Sequence, residues 1–63
     1  MTQDEKNKLF EKMLYLEHMG ELQSNNQLSK FCTEDFIGES NGLWMAIDIL
    51  GLAHEYIAWS YGK

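Results

Sequence analysis

The sequence predicts an all-α fold, either a helical hairpin or a three-helix mini-bundle. Three observations support this prediction: helix start signals recur along the chain, apolar residues repeat at helical spacing, and no proline is present. Proline breaks helices by removing a backbone donor, so its absence favours long helical segments. We find no alternation of apolar and polar residues of the kind that indicates strands. A chain of 63 residues is short enough to form a single helical domain, residues 1–63.

The first helix is predicted over about residues 3–22. Thr2 and Glu5 have the spacing of a capping box, in which each side chain binds a backbone N–H of the other at a helix start. Apolar residues then follow at helical spacing: Leu9, Met13 and Leu16. The polar run at about residues 23–27 predicts a turn, because Ser and Asn side chains compete with the helical backbone for hydrogen bonds.

A second helical region is predicted over about residues 28–61. Thr33 followed by two acids makes a good helix start, since a hydroxyl cap and negative charge both suit the positive end of the helix dipole. From there, mostly apolar positions step by four and three residues alternately, which is the seam spacing of a helical bundle. These positions are Phe36, Ser40, Leu43, Ile47, Leu50, His54, Ile57 and Tyr61.

Two glycines leave the continuity of this region open. The run Ser40-Asn41-Gly42 could break it, and Gly51 costs about 1 kcal/mol relative to alanine in a helix interior. A continuous helix gives a helical hairpin, whereas a break near Gly42 gives a three-helix mini-bundle.

The size of the chain predicts self-association. A protein this small buries only about 60% of the surface that its unfolded chain exposes, so its core is marginal. A single cysteine rules out a stabilising disulfide within the chain. We therefore expect a homodimer that completes a four-helix bundle through the apolar seam. The predicted self-association residues are Phe36, Leu43, Ile47, Leu50, His54 and Ile57.

The charge of the chain disfavours several classes of function. Ten acidic residues stand against five lysines, there is no arginine, and the net charge is -5. Direct binding of nucleic acid is not expected, because it relies on cations that neutralise phosphates. No apolar run approaches the roughly 20 residues that cross a bilayer, so no membrane span is expected. The polar N-terminus and the single thiol favour a cytoplasmic setting.

No pattern in the sequence indicates catalysis, a cofactor or a metal. His18 and Glu21 share a helix face, but a metal site needs three or four converging ligands. His54 is interpreted as a structural histidine and Cys32 as a buried packing thiol. Residues 38–42 contain a serine between glycines but lack the order of a nucleophile elbow. The chain is therefore predicted not to be an enzyme.

The acids of the second region and the C-terminal aromatics form the predicted partner-binding surface. Trp and Tyr often anchor interfaces, and acidic residues steer a protein toward a cationic partner. The residues predicted to bind a partner are Glu34, Asp35, Glu39, Asp48, Glu55, Tyr56 and Trp59. We expect a non-enzymatic protein–protein interaction module, namely an acidic inhibitor of a basic macromolecular target such as a nucleic-acid-handling enzyme.

Two alternative functions stay open at this point. The first is a regulatory or antitoxin-like subunit that docks onto a helix of one partner. The second is a small-ligand-binding oligomer with a cavity lined by Trp44, His54 and Tyr56.

In size, acidity and lack of motifs, the chain resembles small acidic proteins encoded by bacteriophages and mobile elements, among them anti-CRISPR and other host-takeover inhibitors. The resemblance concerns the general character of the whole chain, and it assigns no role to any residue. It implies an inhibitory protein whose target could be a nucleic-acid enzyme.

Overall fold

The computed structural model describes residues 1–63 as three α-helices without strands. Helix α1 spans Gln3–Ser24, α2 spans Phe36–Ile49 and α3 spans Ala53–Ser60. The predicted all-α class is confirmed. None of these helices combines the length and apolar character needed to cross a membrane.

Helix α1 begins at the predicted capping box. The backbone N–H of Thr2 donates to Glu5 Oε1 at 2.9 Å, and the N–H of Glu5 donates to Thr2 Oγ1 at 3.2 Å. Two hydrogen bonds hold the pKa of Glu5 below its usual range. The bond from the Thr2 backbone has the larger effect, and the bond with the Thr2 hydroxyl has the smaller one. The helix ends at Ser24, and Asn26 then adopts φ 57°, a left-handed conformation that Asn tolerates better than most residues.

The predicted start of the second helical region is wrong. Residues 25–35 form a loop, and α2 begins at Phe36, several residues beyond the expected start at Thr33. Asp35 is the N-cap, and its Oδ1 accepts a hydrogen bond from the N–H of Gly38 at 2.9 Å. A carboxylate at this position satisfies a free backbone donor and also suits the helix dipole.

A side chain of α1 fixes the place where α2 starts. Gln23 Nε2 donates to the carbonyl oxygen of Glu34 at 2.8 Å, and Gln23 Oε1 accepts from the N–H of Ile37 at 3.2 Å. Both groups flank the N-cap, so the backbone there is held by a distant residue. This tertiary contact explains why the local signal at Thr33 does not decide the helix start.

The break in the second region lies at Gly51, whereas α2 continues through Gly42, so the predicted break near Gly42 is wrong. The single continuous helix is wrong for the same reason. Gly51 has φ 74°, which glycine adopts without a Cβ penalty. The N–H of Gly51 donates to the Asp48 carbonyl and that of Leu52 to the Ile47 carbonyl, each at 3.0 Å. This is the hydrogen-bond pattern of a Schellman motif, which ends a helix at a glycine.

The core is small and is assembled from all three helices. Only 7 of 63 residues are buried. The central cluster consists of Phe10 and Met13 from α1, Ile47 from α2 and Tyr56 from α3. The rings of Phe10 and Tyr56 meet edge to face with their centroids 5.4 Å apart. Burying one large apolar side chain contributes about 1.5–3 kcal/mol. The stability of a core this small therefore depends on each of its side chains.

Candidate functional site

A groove runs beside α2, with α1 as its other wall and α3 at one end. It consists of two adjoining hollows of about 470 and 440 Å³. Both hollows are lined by Glu17 of α1 and by Ser40 and Asn41 of α2. The first hollow is also lined by Met13, Trp44, Tyr56, Ile57, Ser60 and Tyr61. The second is also lined by Gly20, Glu21, Ser24 and Ile37.

The charged lining of the groove is acidic. Glu17 and Glu21 stand one turn apart on α1, and no lysine, arginine or histidine is among the lining residues. The remaining polar lining is neutral: Ser24, Ser40, Asn41 and Ser60 supply hydroxyls and an amide, and Tyr56 and Tyr61 supply phenols. A cleft lined by charge of one sign concentrates its field, so the groove should attract cations.

Glu17 is held in place by a residue of α3, at the end of the groove. The hydroxyl of Tyr56 donates to Glu17 Oε1 at 3.0 Å. Burial raises the pKa of Tyr56, and the hydrogen bond to Glu17 and its negative charge raise that pKa further. Tyr56 therefore stays protonated at neutral pH and positions the carboxylate. An ionised carboxylate has about four lone-pair sites, so Glu17 can accept further donors while it holds Tyr56.

Aromatic rings form the end of the groove near α3. Trp44 and Tyr56 pack edge to face with centroids 5.8 Å apart, and Tyr61 beside them is 85% exposed. Trp59 stacks behind Tyr56 at 6.1 Å, and Lys63 Nζ lies 4.7 Å from the centroid of the Trp59 ring. This aromatic cluster therefore already holds one cation, on a ring outside the groove.

The residues predicted to bind a partner do not converge on one site, and only Tyr56 among them lines the groove. Tyr56 is a core residue of which only 2% is exposed. Asp35 caps α2, and Glu55 forms an ion pair with Lys6 at 3.2 Å. Trp59 is half-buried and packs against Phe10. The other predicted acids are exposed outside the groove: Glu34, Glu39 and Asp48.

The predicted self-association residues separate into two groups. Phe36 and Ile47 are buried within the single chain and Leu43 is half-buried, so they pack against this chain's own helices. Leu50, His54 and Ile57 are exposed. The seam therefore cannot serve as a whole for contact with a second chain. The helix break at Gly51 interrupts the seam, and the first half of the seam is already covered by this chain's own helices.

The sequence contained one signal for the groove that our prediction missed. Glu17 follows the buried residues Phe10 and Met13 by seven and four positions, so it lies on the side of α1 that packs against the other helices, although Glu17 itself is exposed. A carboxylate at such a position indicates a polar partner, which here is Tyr56. Asn41 and Tyr61 carry no comparable signal, because their place in the groove depends on how α2 and α3 pack.

Neither histidine belongs to a cluster of side chains that could hold a metal ion. No group of three or more His, Cys, Asp or Glu side chains is arranged to hold an ion. His18 and His54 are both exposed, and His54 does not line the cavity that contains Trp44 and Tyr56. The interpretation of Cys32 as a buried thiol is wrong, because it lies in the loop of residues 25–35 and is exposed.

No known protein family matches the sequence, and no curated protein and no solved structure shows significant similarity to it. The chemistry of the groove is therefore the basis for a functional proposal.

Proposed function

We propose that this chain is a non-enzymatic interaction module that binds a basic segment of a partner protein in the groove beside α2. One observation carries the proposal: Glu17 and Glu21 face a groove with an aromatic end and no cationic lining. A net charge of -5 adds a long-range attraction for a basic partner.

Lysine and arginine side chains match this lining chemically. Their apolar stems can pack on Trp44 and Tyr61, while the charged head reaches a carboxylate. An arginine guanidinium can also donate to the Asn41 amide oxygen and to the serine hydroxyls, because it carries five N–H donors. A basic segment of several residues would therefore satisfy both hollows.

Binding of a basic segment would inhibit a partner whose basic segment is part of its functional surface. A basic surface that binds nucleic acid is positive and carries exposed lysine and arginine. An acidic module seated on that surface would occupy the cations that contact phosphates. We therefore propose that the target is a nucleic-acid-handling protein and that binding blocks its basic surface.

We further propose that the chain acts as a homodimer. Each copy contributes the pair α1 and α2, so two copies supply the four helices of a bundle-like assembly. The groove would then be presented twice, and bivalent binding raises the apparent affinity for a target with two basic segments.

The groove is tested by titration with a lysine- and arginine-rich peptide, followed by the fluorescence of Trp44 and Trp59. We expect saturable binding that weakens as salt increases, because exposed charge pairs are screened. An acidic peptide of equal length should not bind. If the basic peptide fails to bind even at low ionic strength, the proposal is wrong.

Matched variants separate the groove from net charge. E17Q with E21Q removes both groove carboxylates, and glutamine can still accept the bond from Tyr56. We expect this double variant to weaken peptide binding by about tenfold, equivalent to about 1.4 kcal/mol. The control is E11Q with E39Q, which changes the net charge equally at exposed positions outside the groove. Equal weakening by both double variants would mean that only net charge matters.

The target class is tested by affinity capture from a bacterial lysate at low and high salt. We expect the wild type and the E11Q/E39Q control to retain the same basic nucleic-acid-binding proteins, and the E17Q/E21Q variant to lose them. Retention of proteins without basic surfaces, unaffected by salt, would contradict the proposed target.

A further inference from the structure

The two hollows of the groove differ in the residues that line them. The first hollow is lined by the aromatic rings of Trp44, Tyr56 and Tyr61 and by one carboxylate, that of Glu17. The second hollow has no aromatic ring and a single apolar side chain, Ile37. Its other lining residues are polar or lack a side chain: Glu17, Gly20, Glu21, Ser24, Ser40 and Asn41. The second hollow is therefore the more polar of the two, and it contains both carboxylates of the groove.

The two carboxylates of the second hollow have no cationic partner within the chain. The one ion pair of the chain joins Lys6 to Glu55. Tyr56 donates to Glu17 Oε1, which leaves Glu17 Oε2 and both carboxylate oxygens of Glu21 without a hydrogen bond from the protein. Like charges four residues apart on a helix lower its stability by about 0.2–0.5 kcal/mol. A cation bound between Glu17 and Glu21 would remove this repulsion.

The start of α2 beside the second hollow does not favour an anion. A helix start usually attracts anions, because its first N–H groups are free and its dipole is positive there. Here the N–H of Ile37 donates to Gln23 Oε1 at 3.2 Å, and the N–H of Gly38 donates to Asp35 Oδ1 at 2.9 Å. The charge of the Asp35 carboxylate also offsets the positive end of the dipole. The lining of the second hollow therefore suits a cation.

Neutral acceptors stand on the wall opposite to the two carboxylates. Ser40 and Asn41 belong to α2, and neither side chain makes a hydrogen bond within the chain. Gly20 is the one buried residue of the lining and forms the floor. The two helices approach closely there, since a Cβ added at Gly20 would lie 3.6 Å from the carbonyl oxygen of Phe36. A ligand in the second hollow thus meets free acceptors from two helices, above a floor of backbone.

Arginine and lysine differ in what they can donate to acceptors on two walls. A lysine ammonium is a compact, strongly hydrated charge with three donors. An arginine guanidinium is more weakly hydrated and carries five N–H donors in a planar fork, so it can bind groups on different sides at once. Its bonds to carboxylates are about twice as strong as bonds between neutral groups. The arrangement of the second hollow therefore favours arginine.

We propose that the second hollow is an arginine subsite that discriminates against lysine. The guanidinium donates to Glu21 and to the free Oε2 of Glu17 on the α1 wall. On the α2 wall it donates to the Ser40 hydroxyl and to the amide oxygen of Asn41. This inference rests on the proposed function, because it names the residue that a basic segment places in the second hollow.

Two end-capped peptides of equal length and charge, tetra-arginine and tetra-lysine, test the subsite by titration at low ionic strength with tryptophan fluorescence. We expect the wild type to bind tetra-arginine about tenfold more tightly than tetra-lysine. Tetra-citrulline, which keeps the shape of arginine without its charge, should not bind. Equal affinity for tetra-arginine and tetra-lysine would overturn the arginine subsite and leave the binding of basic segments intact. No binding of either peptide would overturn both proposals.

Single variants locate the discrimination within the groove. E21Q should reduce the preference for tetra-arginine to about threefold or less, because it removes the carboxylate that only the second hollow contains. The matched control is E11Q, which changes the charge equally at an exposed position of α1 outside the groove and should keep the full preference.

Y61L removes an aromatic ring of the first hollow that is 85% exposed, and it should also keep the preference. A preference that survives in E21Q, or that is lost in Y61L instead, would overturn the assignment to the second hollow.

Discussion

The two sides of α2 differ in cover far more than in composition. Ile47 and Ile49 are the same residue type, two positions apart on one helix, yet Ile47 is fully buried and Ile49 is 83% exposed. Leu43 on the inner side and Met45 on the outer side form a similar pair, half-buried and 63% exposed. Burial in this chain is therefore decided by where α1 and α3 pack, since hydrophobicity alone does not distinguish the two sides.

The largest expected effect comes from truncating the two isoleucines separately. I47A should lower the free energy of unfolding by about 2–5 kcal/mol, because it leaves a cavity in the core. I49A should change it by no more than about 0.5 kcal/mol in dilute solution, since the side chain is already in water. Urea unfolding followed by circular dichroism measures both. Similar losses in the two variants would mean that both sides of α2 are covered within one chain.

The next largest effect is expected from replacing Gly51 and Gly42 separately by alanine. G51A should destabilise the fold by about 1–2 kcal/mol, because alanine is strained at a left-handed φ. G42A, on the outer side of α2, should instead stabilise the dilute monomer by up to about 1 kcal/mol. Thermal melting of the two variants should therefore shift in opposite directions. A destabilising G42A in the monomer would show that the outer side is less open than the structure indicates.

The smallest effect concerns Tyr56, at the edge between the core and the groove. Y56F keeps the ring and removes the bond to Glu17, which should lower stability by about 1 kcal/mol. The pKa of Tyr56 is raised in the folded state above the value of about 10 in an unfolded chain. Its contribution is therefore complete below pH 10 and is lost as pH rises further. The difference in melting temperature between wild type and Y56F should shrink above pH 10, and a constant difference would contradict this linkage.

Local signals in the sequence predicted some elements of the fold well. The Thr2 and Glu5 capping box is satisfied by side chains within one turn, so α1 begins where expected. The start of α2 depends on Gln23, which lies 11 residues before Glu34 in the chain. No pattern in the sequence indicates this role of Gln23. Gly42 and Gly51 both lie in runs that could end a helix, and the sequence pattern did not decide between them. With the turn at Gly51, Tyr56 and Trp59 of α3 pack on Phe10, a tertiary contact that the local sequence does not indicate.

The candidate site was harder to predict than the helices. The apolar seam combined Phe36 and Ile47, which build the core, with Ile57, which lines the groove. Periodicity assigns residues to a helix side but does not identify the element that covers that side. Among the groove residues, Tyr56 was predicted to bind a partner, and Glu17 carried a signal that our prediction missed, as a charge on the side of α1 that packs against the other helices. The other lining residues meet only after three helices have packed.

The short length of α3 has a consequence for the timing of events at the groove. Eight residues without a side-chain cap are too few to hold a helix in water, so α3 stays folded only while Tyr56 and Trp59 remain packed on Phe10. We expect α3 to detach and return as one unit, and its amide hydrogens to exchange with solvent sooner than those of α1. Each detachment would remove Tyr61 and Ser60 from the groove and release Glu17. A bound cation would therefore slow exchange throughout α3, including at amides it never touches.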